Sequence, residues 1–211
     1  MTSSGTPRLI LASGSPRRSQ LLTDDGYAFK VVHPPLDEPD DTGPQTPPVQ
    51  YAEASSYYKA RSVATMRDWP DVVILSADTV VAYQDRIYGK AEDADEARSI
   101  LSTLAGTRHQ VVTGVTVLRP ATGLRLIGHE LTYVTMRPMA PDVLDRYIAS
   151  GAWQGKAGAY GIQDHGDAYV ERIEGSFTNV VGLPMSLVAD MLQTAGYGTT
   201  PANHAAETQA D

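Results

Sequence analysis

Ser13-Gly14-Ser15-Pro16-Arg17-Arg18, placed directly after the apolar run Leu9-Ile10-Leu11-Ala12, is the segment of this chain best suited to hold an anion. Its residue types read as strand, tight turn and helix start. Ser15 is a favoured N-cap type, Pro16 suits the first helical position because it has no N–H to leave unpaired, and Gly14 permits the sharp bend before them. The unpaired N–H groups of a first helical turn and the helix dipole attract negative charge, and Arg17 and Arg18 add two full positive charges. Two cations at that position oppose the dipole, so a bound phosphate accounts for them better than solvation alone. Asp78 is the sharpest acidic candidate. It follows the apolar run Val72-Val73-Ile74-Leu75 within three residues, which predicts a carboxylate at the lip of a sheet. There it could hold a divalent cation or accept a proton from water, or it could cap a turn through the N–H groups of Thr79 and Val80. Glu38, in an acidic loop, and Lys59 and Lys90 carry little signal singly. Gln163 can donate and accept at once, which suits a nucleobase edge and equally suits a strand end.

Several other chemistries are disfavoured by failed motifs. Gly151-Ala152-Trp153-Gln154-Gly155-Lys156 is one residue short of a P-loop, lacks the following Ser or Thr, and comes after a helical rather than a strand pattern. His129-Glu130 has Tyr133 where a zincin needs a second histidine, and His33, His109, His165 and His204 lack ligand spacing. No Gly-x-Ser-x-Gly elbow is present. The chain has 211 residues, 42% of them hydrophobic, and no cysteine, so disulfides and thiolate metal sites are excluded. A formal net charge of −8 argues against broad nucleic-acid binding. The polar N-terminus and the lack of a long apolar run predict no signal peptide and no membrane partner, and a cytoplasmic location is expected.

These groups need elements to position them. Residues 9–12, 27–33 and 72–75 read as strands, 80–83 and 87–88 as a hairpin around Gln84-Asp85-Arg86, and 109–118 and 124–136 as antiparallel neighbours. Residues 168–173 read as one more strand. Helices are predicted from Ser15 to near Gly26, over 51–66, over 93–104 with an Asp93/Glu96 capping box, from Pro141 to Gly151, and over 184–195. Between them lie a proline- and acid-rich loop over 34–48 and a glycine-dense loop over 155–163. Interleaved strands and helices with one antiparallel region predict an α/β fold with a mixed sheet. Residues 1–7 and 198–211 are expected to be disordered ends of a single domain over 8–197, with two lobes around a cleft.

Taken together, Leu11-Ala12-Ser13-Gly14-Ser15-Pro16-Arg17-Arg18, Asp37-Glu38, Lys59-Ala60, Ser76-Ala77-Asp78-Thr79-Val80-Val81, Gly89-Lys90, the segment from His109 to Val115, the segment from Lys156 to Gln163, and Val180-Val181-Gly182-Leu183-Pro184 resemble the Maf family of nucleotide pyrophosphatases. The resemblance runs from Leu9 to about Leu192. It implies an elongated α/β fold of the Maf/ITPase-like kind, with a mixed sheet, flanking helices and a central cleft, commonly in a homodimer. The implied reaction is metal-dependent hydrolysis of a nucleoside triphosphate to the monophosphate and pyrophosphate. Arg17, Arg18, Lys59 and Lys90 look like triphosphate ligands with Ser15 and Thr79 beside them. Glu38 and Asp78 look like ligands of Mg²⁺ or Mn²⁺ or the water-activating base, and Gln163 like a further polar group of the site. Pro16-Arg17-Arg18, Asp78-Thr79 and Gly161-Ile162-Gln163 are similar to the branch acting on dTTP and UTP rather than the branch preferring methylated guanine nucleotides. Ala91 stands where proline is usual and is expected to loosen Lys90. Asp78→Asn is expected to abolish turnover with folding almost intact. The rival from another class is a nucleotide-binding regulator of cell division that binds triphosphate without turnover.

Overall fold

Three long runs of β-branched and aliphatic residues set the frame, because such side chains favour extended backbone and together are long enough to cross the whole molecule. In the computed structural model, which describes residues 8–35, 46–162 and 168–198, they are β3 (Val72–Tyr83), β5 (Arg108–Arg119) and β6 (Leu124–Met136). β3, β5 and β6 pair antiparallel in sequence order, and Pro120–Thr122 forms the 3₁₀ turn between the last two. Shorter strands attach at the two ends. β1 (Arg8–Leu11) lies parallel to both β3 and β2 (Phe29–Val31), while β4 (Arg86–Tyr88) folds back on the far end of β3 and β7 (Val170–Glu174) pairs with β6. The result is one seven-stranded mixed sheet in the order β2-β1-β3-β5-β6-β7, with β4 on β3. This is the α/β class expected from the interleaved pattern.

β3 departs from expectation in a way that matters for the site. A strand ending at Leu75 was expected, with Asp78 beyond it, yet β3 continues through Asp78 to Tyr83, and β5 pairs with it without interruption from Ile74 to Ala82. The polar residues do not end the strand because each has a partner: Ser76 Oγ donates to Ser56 O at 2.6 Å, Asp78 pairs with Lys59, and Thr79 Oγ1 lies 2.9 Å from Thr113 Oγ1. Asp78 caps no turn.

One face of the sheet is covered by α2 (Pro48–Ala64), which starts before Tyr51 because Pro48 occupies the first turn, where its missing N–H costs nothing. Its buried positions are small, Ala52, Ser55, Ser56 and Ala60, with Val63. They meet the sheet at Gly114, where a Cβ would stand 2.3 Å from the Ala52 backbone. The opposite face carries two apolar clusters. At the β1 end, Leu22 of α1 (Pro16–Asp24) and Met185, Val188 and Leu192 of α6 (Met185–Thr194) pack on Val73, Leu75, Val115 and Val117. At the β4 and β7 end, α3 (Ala94–Leu104) and α4 (Pro141–Ala149) supply Leu101, Leu104, Leu144 and Tyr147 against Val81, Val111 and Val134. Asp93 caps α3, accepting from Glu96 N–H at 2.8 Å.

A short helix, α5 (Phe177–Val181), was not expected; at five residues it is too short to show periodicity, and Ser176 caps it by accepting from Asn179 N–H at 3.2 Å. Strand β2 lies within the expected 27–33 but is shorter, and β7 is shifted slightly toward the C-terminus from the expected 168–173. Glu38, Gln163 and the terminal segments 1–7 and 199–211 lie outside the described residues.

Candidate active site

β1 pairs with β3 only as far as Leu75, and β4 takes up the same edge of β3 again at Val81. Residues 76–80 therefore face a notch in the sheet. Ala12 N–H makes a last hydrogen bond to Leu75 O at 2.7 Å, after which the Ser13-Gly14-Ser15 turn leaves the sheet and α1 begins. A site at the C-terminal end of a strand where the sheet order opens is a recurrent ligand position in α/β folds. Here the notch opens into a cleft of about 570 Å³, a volume suited to a small-molecule ligand.

The alternation of side chains along β3 divides the lining. Ser76, Asp78 and Val80 point to the α2 face, and Ala77, Thr79 and Val81 to the other. On the first face Asp78 forms an ion pair with Lys59, the two side chains being 9% and 12% exposed. Lys59 is aimed there because Ser56, one turn earlier, is bonded to both long strands: Thr116 Oγ1 is 2.8 Å from Ser56 Oγ, and Ser76 donates to Ser56 O. On the second face Arg18 is spread over three segments. Its Nε donates to Gly182 O at 2.8 Å, Nη1 to Ser13 Oγ at 3.1 Å and Nη2 to Thr79 Oγ1 at 3.2 Å. Gly182 holds a φ of +124°, a conformation that disfavours any side chain, and so presents its carbonyl to Arg18.

Arg17 reaches across the mouth, donating from Nη2 to Gly155 O at 3.0 Å. Ser15 occupies the N-cap position of α1 as expected, although its side chain makes no cap bond; instead Ser15 N–H donates to Ser13 Oγ at 3.2 Å. Lys90 lies on the lining and is held by an antiparallel bridge to Ala157, with Gly158 N–H donating to Gly89 O at 2.9 Å. Ala91, expected to loosen Lys90, is buried in the second apolar cluster. Ser15, Arg17, Arg18, Lys59, Asp78, Thr79 and Lys90 thus border one cleft.

Sequence reasoning missed Lys156 as a lining group. It is 8% exposed, donates from Nζ to Ala152 O at 2.7 Å, and runs so close to Gly161 that a Cβ there would stand 2.8 Å from its Cε. The available signal was a lysine inside a glycine-rich run. With it, five cationic side chains and one carboxylate line the described part of the cleft, in a chain whose net charge is −8. The clustering makes a local anion site within an acidic protein. Val81, Val111, Tyr160, Ile162 and Val181 form an apolar wall continuous with the second cluster. Tyr160 is core packing rather than a stacking platform: its ring meets His109 edge-on at 5.5 Å, and its hydroxyl is 2.7 Å from His109 Nε2. Burial raises the Tyr160 pKa and lowers that of His109 to about 4, so both are neutral near pH 7.

No cluster of three or more His, Cys, Asp or Glu side chains that could hold a metal is present among the described residues. Asp78 alone, on the cleft wall, fits a hard divalent cation of the kind bound by one or two carboxylates together with substrate phosphate oxygens.

Residues 8–195 match the family model described as Maf-like protein. The chain belongs to the Maf-like family. The protein named dTTP/UTP pyrophosphatase in Pelotomaculum thermopropionicum is 40% identical over 189 residues, covering 90% of this chain and 97% of that one. The proteins of the same name in Syntrophotalea carbinolica and Nitratidesulfovibrio vulgaris are 42% and 43% identical over 188 residues, each covering 89% of this chain and 84% and 88% of their own length. Among solved structures, the Staphylococcus aureus Ham1 protein aligns with a TM-score of 0.49 at 13% identity, covering 89% of this chain and 98% of that one.

Proposed function

We propose that this Maf-like protein hydrolyses nucleoside triphosphates, with dTTP and UTP as its substrates, to the nucleoside monophosphate and pyrophosphate. The observation that carries the reading is the gathering of Arg17 and Arg18 of α1, Lys59 of α2 and Lys90 after β4, from three separate segments, around one cleft beside Asp78. The names of its relatives supply the choice of pyrimidine nucleotide. The catalytic domain spans residues 8–197, and its two lobes are the two ends of the sheet on either side of the notch.

In this reading Arg17, Arg18, Lys59 and Lys90 bind the triphosphate, with Ser15 at the α1 N-terminus and Thr79 beside Arg18. The nucleoside lies toward the apolar wall, and the role of a polar contact to the base falls to Gln163. Water attacks the α-phosphorus, the bond from that phosphorus to the α,β-bridging oxygen breaks, and pyrophosphate leaves with the electron pair. The proton of the attacking water passes to a carboxylate, Asp78 or Glu38. Lys59 orients Asp78 for that task, and the arginines and lysines stabilise the charge that grows on the leaving group. A divalent ion, Mg²⁺ or Mn²⁺, held by whichever of Asp78 and Glu38 does not take the proton, would supply further neutralisation of the phosphate charge.

A panel of nucleoside triphosphates, assayed with Mg²⁺ or Mn²⁺ for pyrophosphate release, tests the assignment. The highest kcat/KM is expected for dTTP and UTP. Equal or better turnover of purine nucleotides would overturn the substrate choice, and triphosphate binding without product would favour the regulator reading.

A further inference from the structure

Between the two apolar clusters on the face away from α2 runs a band of buried polar side chains, and donor and acceptor chemistry together with the distances gives a direction to its hydrogen bonds. Thr113, fully buried on β5, has its Oγ1 3.1 Å from Asn179 O. A carbonyl only accepts, so this bond takes the single hydroxyl proton of Thr113 when it forms. Either hydroxyl can donate across the 2.9 Å contact between Thr79 and Thr113, and the shorter distances favour Thr79 as donor there, since its other acceptor, Gly182 O, lies at 3.4 Å. With its proton directed inward, Thr79 turns a lone pair to Arg18 Nη2 at 3.2 Å. The chain runs one way, from Arg18 to Thr79 to Thr113 to the backbone of α5.

Its far end is anchored. Asn179 is fully buried and donates from Nδ2 to Val111 O at 3.1 Å and to Thr132 Oγ1 at 3.0 Å, while Thr132 Oγ1 donates to Ser176 O at 3.2 Å. The acceptor that orients Thr113 is therefore tied to both β5 and β6.

We propose that Thr113 is a positioning residue for Arg18. By accepting the Thr79 proton it keeps the Thr79 hydroxyl in the acceptor orientation, and the guanidinium is held between Ser13, Thr79 and Gly182 before nucleotide arrives. The proposal rests on the reading of Arg18 as a phosphate ligand. Without the Thr113 hydroxyl, the acceptor left to Thr79 is Gly182 O at 3.4 Å, the same carbonyl that takes Arg18 Nε at 2.8 Å. Turning toward it rotates the Thr79 lone pairs away from Arg18. Thr113→Val isolates this effect, since it preserves shape and leaves Asn179 O still accepting from Gly182 N–H at 3.0 Å.

The test compares wild type, Thr113→Val, Thr113→Ser, Arg18→Ala and the Arg18→Ala/Thr113→Val double variant. It measures dTTP turnover, and affinity for α,β-methylene-dTTP by calorimetry so that inactive variants still report. Thr113→Val is expected to weaken analogue binding and raise KM by about fivefold to tenfold, the factor of one hydrogen bond, with a smaller change in kcat. Thr113→Ser is expected to stay within about twofold of wild type, and in the Arg18→Ala background the valine substitution is expected to change affinity by less than about twofold. Thr113→Ala removes the same hydroxyl and carries the same expectations should Thr113→Val fail to fold. Wild-type affinity in Thr113→Val, equal losses in the serine and valine variants, or an undiminished loss in the Arg18→Ala background would each overturn the positioning role. If Arg18→Ala binds the analogue and turns over dTTP like wild type, the phosphate reading of Arg18 falls with it, an outcome distinct from failure of Thr113 alone.

Discussion

His109 gives the fold an acid sensitivity whose size can be worked out. Its side chain is 1% exposed near the start of β5, with Nε2 2.7 Å from the Tyr160 hydroxyl and Nδ1 3.4 Å from Thr107 Oγ1. Burial opposes the imidazolium and lowers the pKa from 6.5 to about 4. Between those two values the unfolded chain binds a proton that the native protein does not, so stability falls as pH falls. The slope approaches one proton, and the loss from pH 7 is about 1.3 kcal/mol by pH 5.5 and about 3 kcal/mol by pH 4. For a chain of this length that is a fall in Tm of roughly 6–12 °C from this one group. His109→Gln keeps a hydrogen-bonding side chain beside Tyr160 and removes the titration. Thermal denaturation of both proteins from pH 7 to pH 4 should show the wild type losing this much more than the variant, the difference opening below pH 6.5. Parallel curves would refute the assignment of a neutral, buried His109.

Two further predictions concern the α2 face of the site. Asp78→Asn reads from sequence as silent for folding, but the structure pairs Asp78 with a nearly buried Lys59, and removing one partner of such a pair costs about 3 kcal/mol. The variant should melt lower as well as lose about 10²–10⁴-fold in kcat, and Lys59→Met/Asp78→Asn should regain most of the stability and none of the activity; a single variant with wild-type Tm would contradict the pairing. Gly114→Ala places a methyl 2.3 Å from the Ala52 backbone, so α2 must move, and a loss of about 1–3 kcal/mol in denaturant unfolding together with reduced kcat/KM is expected. An unchanged unfolding midpoint would show that α2 does not seat there.

The fold class, the long strands β5 and β6 and the helix opening at Pro16 were legible because their signals are local: β-branched runs, a capping proline, and Gly123 turning at a φ of +71° between β5 and β6. The continuity of β3 was not legible. Ser76, Asp78 and Thr79 look like a strand end until their partners on α2 and β5 are in place, and those partners lie 20, 19 and 34 residues away in sequence. The small residues of α2 hid its packing for the same reason, since Ala52, Ser55, Ser56 and Ala60 show no apolar stripe and gain meaning only against Gly114. Arg17, Arg18, Lys59 and Lys90 were named from motifs, but their convergence is a property of the notch between β1 and β4, which depends on where two strands stop along a third. Lys156 was passed over because its burial follows from the close approach of Gly161.

The central claim is that one nucleotide spans the notch and is cut between its α and β phosphates. Phosphorus NMR of dTTP incubated with the protein and a divalent ion tests it most directly. dTMP and pyrophosphate appearing in equal amounts, with no dTDP, is the predicted outcome; dTDP with orthophosphate, or an unchanged triphosphate spectrum, would contradict the account.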